Sequence, residues 1–289
     1  MSIFANKTTK VLVQGITGTQ ASFHTQKMLS YGTNIVAGVS PNRGGAKYLD
    51  IDVFNTVKEA VDAKQVTASV MFVPARFVKN AVKEAIEAEL ETVVTISAGV
   101  PNKDMMEIKS MLKGSKTTLI GPNTPGIITP GEACLGISPH NIHQMGNIGV
   151  VSRSSTLTYE AVLETKRADM GQSTVLGLGD DMIVGTGFVE IIDKFHKDEK
   201  TKAIIMIGQQ GGTYEEAGAE YYASLKIKKP IIGYVAGSSA LKSDKMGYAG
   251  DIITRGKVTP FSKKEAMRKA GIIVVDKINE IHKVLQEVL

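Results

Sequence analysis

Val11-Leu12-Val13-Gln14-Gly15-Ile16-Thr17-Gly18-Thr19-Gln20-Ala21 decides the fold of this chain. A β-branched apolar run passes through two glycines into a helical stretch, which reads as the strand, tight turn and helix start of a βαβ unit. Free amides at that helix N-terminus can face an anionic phosphate. The spacing is GxxGxxA and not GxGxxG, so the lesser alternative is a glycine turn that serves strand-to-helix packing alone.

Outward from this unit, short β-branched runs alternate with amphipathic stretches, the pattern of a parallel sheet covered by helices. Strands are expected at 10–14, 34–39, 68–73, 92–96 and 117–120, with helices at 22–31, 57–63, 78–88 and 103–112. Gly121-Pro122-Asn123-Thr124-Pro125-Gly126 and Thr129-Pro130-Gly131 then break regular structure. The theme resumes with strands at 148–152, 173–178, 203–207, 230–235 and 271–275, and helices at 157–170, 188–196, 215–224, 263–270 and 278–288. Gly149-Val150-Val151-Ser152-Arg153-Ser154-Ser155-Thr156 repeats the strand, small-residue loop and helix start of the opening stretch. Two α/β domains are therefore expected: 1–122, a connector at 123–147, and 148–289.

Lys plus Arg number 34 against 29 Asp plus Glu, a net charge of +5. This mild excess suits phosphorylated ligands but forms no dense basic stripe, so nucleic acid is not an expected partner. One cysteine, Cys134, excludes an internal disulfide and a cysteine-based zinc cluster, and fits a reducing compartment. With no signal-peptide pattern and no apolar stretch of bilayer length, a cytoplasmic protein without a membrane segment is expected. The five histidines, His24, His140, His143, His196 and His282, are scattered and read as structural or solvated, so no metal site is expected.

The loops at the expected strand ends carry the ligand chemistry. NAD calls for an acidic residue after the second strand, and Gly38-Val39-Ser40-Pro41-Asn42-Arg43-Gly44-Gly45 supplies none. An arginine in a glycine loop suits an extra ribose phosphate, as in NADP or coenzyme A, although a lone Arg43 is also an ordinary surface residue. Val73-Pro74-Ala75-Arg76-Phe77 and Ile96-Ser97-Ala98-Gly99 lie where open α/β sheets bind ligands, and suit an extended pantetheine arm or plain turns.

Gly15-Ile16-Thr17-Gly18-Thr19-Gln20, Pro41-Asn42-Arg43-Gly44-Gly45, Phe54-Asn55-Thr56-Val57, Gly121-Pro122-Asn123-Thr124-Pro125-Gly126 and Val151-Ser152-Arg153-Ser154-Ser155-Thr156-Leu157-Thr158-Tyr159-Glu160-Ala161, taken in order, resemble the alpha subunit of succinate-CoA ligase from end to end. The resemblance implies an N-terminal Rossmann-like CoA-binding domain and a C-terminal flavodoxin-like ligase domain. It also implies a beta-type partner whose ATP-grasp domain handles ATP or GTP with magnesium, in a heterodimer or a dimer of heterodimers. The absence of a GxxxxGK[ST] loop here agrees with that division of labour. By position, Thr17, Gly18, Thr19, Gln20, Arg43, Pro74, Ile96, Ser97 and Ala98 correspond to CoA contacts. Asn123, Thr124, Ser154, Ser155, Thr156 and Tyr159 correspond to substrate-side or phosphate-binding residues. The implied reaction joins a small carboxylic acid to CoA through an acyl phosphate and a phosphohistidine.

That histidine is missing. Lys245-Met246-Gly247-Tyr248-Ala249-Gly250 places Tyr248 at its position, and Gln209 stands where the resemblance implies a glutamate that orients it. Imidazole accepts and releases a phosphoryl group near neutral pH, whereas a phenol with a pKa of roughly 10 does not. Thr124 for cysteine, Ala98 for glutamate and Ser155 for glycine continue the departures. Three functions follow as expectations: an alpha-type ligase subunit whose activity is altered or reduced, a catalytically silent CoA-binding paralogue with a regulatory role, and an NADP-linked oxidoreductase.

Overall fold

In a computed structural model of the chain, residues 2–237 and 259–289 are described. These form two compact units: Phe4–His140 with Ile183–Thr186, and Asn141–Met182 with the described residues of Gly187–Leu289 and the first residues of the chain.

The first unit runs β1 (Val11–Gln14), α1 (Thr19–Tyr31), β2 (Ile35–Val39), β3 (Lys47–Tyr48), β4 (Ile51–Phe54), α2 (Val57–Lys64), β5 (Ala68–Met71), α3 (Val78–Glu87), β6 (Thr92–Thr95), α4 (Asn102–Leu112), β7 (Thr118–Ile120), β8 (Gly126–Thr129) and β9 (Ala133–Gly136). Its sheet has the order β3-β4-β2-β1-β5-β6-β7. The central β1 pairs in parallel with β2 on one side (Val13 opposite Gly38) and with β5 on the other (Val13 opposite Val70). Winding therefore reverses between β1 and β5, and their carboxyl ends border the crevice where such sheets bind ligands.

Every residue of β1, β5 and β6 is buried, as expected of strands covered on both faces. Helix α3 shows why one face turns inward: Val78, Val82 and Ala85 recur at helical spacing and are buried. They join Leu12, Met71 and Val93 in one apolar core. Helix α1 ends at Gly32, whose left-handed backbone returns N–H bonds toward Leu29 and Met28.

Two features here differ from the sequence reading. The β3–β4 antiparallel hairpin extends the sheet where a loop was expected. Residues 126–136, read as connector, form the antiparallel β8–β9 hairpin, with Ile128 opposite Cys134. Thr33 fastens it: its hydroxyl donates to the Cys134 carbonyl and accepts the Cys134 N–H, both at 3.0 Å.

The second unit holds β10 (Met145–Ser152), α5 (Ser155–Arg167), β11 (Gln172–Gly177), α6 (Phe188–Lys197), β12 (Ala203–Gly208), α7 (Tyr214–Ser224), β13 (Ile231–Val235), α8 (Pro260–Lys269), β14 (Ile273–Val274) and α9 (Ile281–Val288). These strands lie in the order β14-β13-β12-β10-β11 and pair in parallel. By sequence rank this is the 2-1-3-4-5 order of flavodoxin-like sheets, whose switch point falls between the first and third strands, here β10 and β12. Among the described residues no helix is long and apolar enough to cross a membrane.

Candidate CoA site and phosphate-binding loops

Gly15 opens the first site. Its φ of +80° disfavours any side chain, and a Cβ would sit 3.2 Å from the Phe72 carbonyl oxygen. The turn closes when the Gly18 N–H donates to the Gly15 carbonyl at 2.9 Å. Gly18 then caps α1 without a side-chain acceptor, and no acidic residue occupies the first turn. The helix thus presents first-turn amides and the positive end of its dipole beside exposed Thr17, Gly18, Thr19 and Gln20, an arrangement that fits a phosphate.

Neighbouring loops converge on the same edge of the sheet. Thr17 Oγ1 lies 2.9 Å from Ser40 Oγ, tying the first loop to the one that carries Arg43. Arg43 is exposed, and among the described residues its guanidinium has no hydrogen bond or ion pair, leaving a free cation. Pro74 is exposed just after β5. Ile96 extends the β6 ladder through its N–H to the Met71 carbonyl at 3.1 Å. Ser97 donates its hydroxyl to the Val73 carbonyl and accepts the Asn123 N–H at its own carbonyl, the latter at 2.9 Å. Ala98 is exposed beside it. His24 on α1 stacks on Phe72 with ring centroids 5.7 Å apart, and partial burial lowers its pKa. All nine expected CoA residues therefore lie in the first unit, on the loops that follow β1, β2, β5 and β6 and on the first turn of α1. Asn123 and Thr124 follow β7; Thr124 is only 2 % exposed, and its Oγ1 accepts the Gly126 N–H at 3.0 Å.

The second site stands at the β10/β12 switch point. Ser152 pairs with Ile207, so Ser154 and Gln209 each lie two residues beyond matched positions on adjacent strands. Ser154 caps α5 by accepting the Leu157 N–H, and Ser152 Oγ accepts the Ser154 N–H at 3.1 Å. Ser155 is half-buried, Thr156 is exposed, and Tyr159 is half-buried on the next turn. Gln209 is half-buried, with its N–H donated to Glu215 Oε1 at 3.0 Å. Tyr248 lies outside the described residues.

Beneath these loops runs a charge network that the sequence reading missed. Glu215 accepts Lys263 Nζ at 2.6 Å and lies 3.4 Å from Arg153 Nη1. Arg153 also donates to the Gly211 carbonyl at 2.9 Å, and Lys263 to the Gly212 carbonyl at 2.7 Å and to Glu216 at 2.9 Å. Lys263 and Glu215 are fully buried and Arg153 is 2 % exposed. Two cations thus face two carboxylates of α7, and the bonds to the Gly211 and Gly212 carbonyls pin the loop between β12 and α7. One signal was available: Glu215 shares a helical face with Gly218, Ala219 and Tyr222, all buried, so a carboxylate stands at a core position.

Comparison with known proteins matches a family model to each half of the chain. Residues 6–99 match the family model described as CoA binding domain, and residues 151–273 match CoA-ligase. The succinate–CoA ligase [ADP-forming] subunit alpha of Aquifex aeolicus (strain VF5) is 48% identical over 291 aligned residues, which cover 100% of this chain and 95% of the relative. This chain belongs to the succinate–CoA ligase alpha-subunit family. The alpha subunit of the same name from Staphylococcus aureus (strain Mu50 / ATCC 700699) is 45% identical over 99% of this chain and 95% of its own length. A structure of ATP citrate lyase from Methanothrix soehngenii in complex with citrate and coenzyme A shares the fold, with a TM-score of 0.88 at 24% identity. It matches 98% of this chain, which spans only 50% of the lyase chain. The alpha-subunit family thus joins a CoA-binding domain on the β1/β5 side of this chain to a ligase domain built on β10 and β12.

Proposed function

We propose that this chain is the CoA-binding alpha-type subunit of a nucleotide-dependent acid–thiol ligase, with a phosphoryl relay altered or weakened by Tyr248 and Gln209. The observation that carries this reading is the matched height of Ser154 and Gln209 beyond the paired Ser152 and Ile207. This supports reading Ser154 as part of an anion-binding helix start and Gln209 as a neutral amide at the orienter's position. CoA binds the loops after β1, β2, β5 and β6, with its phosphates on the α1 N-terminus and Arg43. The beta-type partner supplies ATP or GTP with magnesium through its ATP-grasp domain, and the acid is a small carboxylate. A cytoplasmic location agrees with the lone, reduced Cys134.

A second reading is a silent CoA-binding paralogue that regulates an active ligase by occupying its partner. It is favoured by the loss of nucleophile and orienter together at Tyr248 and Gln209. Incubating the chain and a beta-type subunit with radiolabelled ATP separates the two. The ligase reading expects CoA-dependent product with little or no acid-labile label on this chain, and a gain in rate when Tyr248→His is combined with Gln209→Glu. No product from either form supports the silent paralogue, and failure of the native chain to bind CoA at millimolar concentration in calorimetry removes both readings.

A further inference from the structure

Phe54-Asn55-Thr56-Val57 is a motif to which the site so far assigns no task. Asn55 closes the β4 end and enters α2, and its Oδ1 accepts the Gly44 N–H at 2.9 Å. Among the described residues this is the one side-chain acceptor used by the backbone of 41–46, which is exposed throughout. The remaining ties are backbone bonds: Arg43 N–H to Ser40, Gly45 N–H to Val53 at 3.0 Å, Ala46 N–H to Arg43, and Val53 N–H to the Ala46 carbonyl at 2.9 Å.

A cavity of about 410 Å³, lined by Gly44, Ala46, Asp52, Asn55 and Lys64 among others, opens beside this loop, so packing does not hold that side. Asn55 is itself anchored. Its N–H donates to Glu59 Oε2 at 3.0 Å, and the Glu59 N–H donates to Thr56 Oγ1 at 3.2 Å in the first turn of α2. Contact at Gly44 is close enough that an added Cβ would fall 2.4 Å from Asn55 Nδ2. Asp52, a carboxylate of the cavity wall, is paired with Lys64 at 2.6 Å, whereas the Arg43 guanidinium has no ion pair among the described residues.

We propose that Asn55 is a positioning residue that sets ligand specificity. By fixing Gly44 it aims Arg43 at the 3′-phosphate of CoA, so the chain separates CoA from dephospho-CoA through a side chain that touches neither. This inference rests on the reading of Arg43 as the phosphate-binding cation. A guanidinium discriminates only when its fork is held in register with the phosphate oxygens, and a loop freed at Gly44 spreads Arg43 over many directions.

Titration calorimetry of the full chain with CoA and with dephospho-CoA tests it, using the native protein, Asn55→Ala, Arg43→Ala and the double variant. The native chain is expected to prefer CoA by about tenfold or more, the scale of one charge-assisted contact. Asn55→Ala should lose most of that preference while its dephospho-CoA affinity stays within about twofold, and it should add little in the Arg43→Ala background, as expected of residues acting through one contact. Equal weakening of both ligands, an unchanged preference, or full additivity with Arg43→Ala would overturn the role of Asn55. No preference in the native chain, or a preference that survives Arg43→Ala, removes the Arg43 reading and this inference with it. Should Asn55→Ala fail to fold, Gly44→Ala pushes on the same contact from the other side and carries the same expectations.

Discussion

Gly15 carries two constraints at one atom: a left-handed backbone and a carbonyl 3.2 Å from where a Cβ would stand. Gly15→Ala is expected to cost about 1–2 kcal/mol, from the positive φ and the crowding together, and to weaken CoA by displacing the α1 amides. Parallel urea unfolding and CoA calorimetry check it; native affinity in a destabilised protein would show that the loop does not touch the ligand. Cys134 gives a second test. Burial pushes its thiol up to about 12 from an ordinary 9.0. A folded pKa above the unfolded one means that stability from this group is complete below about pH 9 and is lost as pH rises toward 12, because only the unfolded thiol ionises in that window. A thiol reagent at pH 8 should leave the native chain unlabelled and label one site after urea; stoichiometric labelling without urea would contradict the burial.

Between elements, the hub at Glu215 joins the end of β10, the loop after β12, α7 and α8. Glu215→Ala leaves Arg153 and Lys263 buried with one carboxylate fewer between them, so a loss of about 3–5 kcal/mol is expected. A urea midpoint that barely moves would mean that water or Glu216 takes over. Ser154→Ala removes a helix cap and should cost only about 1 kcal/mol, a contrast that separates a desolvated charge from a single N–H acceptor. Local pattern made most elements legible: α3 and α6 carry a clear helical period, β1 and β12 are short β-branched runs that lead into glycine, and the glycine loops mark the crevices. Where it failed, the reasons are physical. In β4 the sequence Ile51-Asp52-Val53-Phe54 offers only a brief alternation after a glycine-rich loop. In the β8–β9 hairpin Pro130 and Gly131 form the turn itself, not the end of regular structure. Helix α5 stops at Arg167 although apolar residues continue to Met170, because Asp169 adopts a φ of +58°. The Arg153–Glu215–Lys263 network joins residues 48 and 62 positions apart and so leaves no local period to read.

At the scale of the whole molecule, each unit is wound on its own set of parallel strands with its own switch point. A ligand that binds only the folded form of the first unit slows its opening by mass action, by about 2.7 kcal/mol at a hundred times the dissociation constant, or about a hundredfold in exchange rate. Amides of β1, β2, β5 and β6 should therefore show close to that gain in hydrogen exchange when the full chain is saturated with CoA. Amides of β10, β12 and β13 gain only as far as the two units open together, so the ratio of the two gains measures their cooperativity. A smaller gain in the second unit is the expected result, because the core of Leu12, Met71 and Val93 draws only on residues of the first. Equal gains would mean one folding unit despite two sheets, and a gain confined to β10 and β12 would move the CoA site to the other switch point and overturn the functional reading at its base.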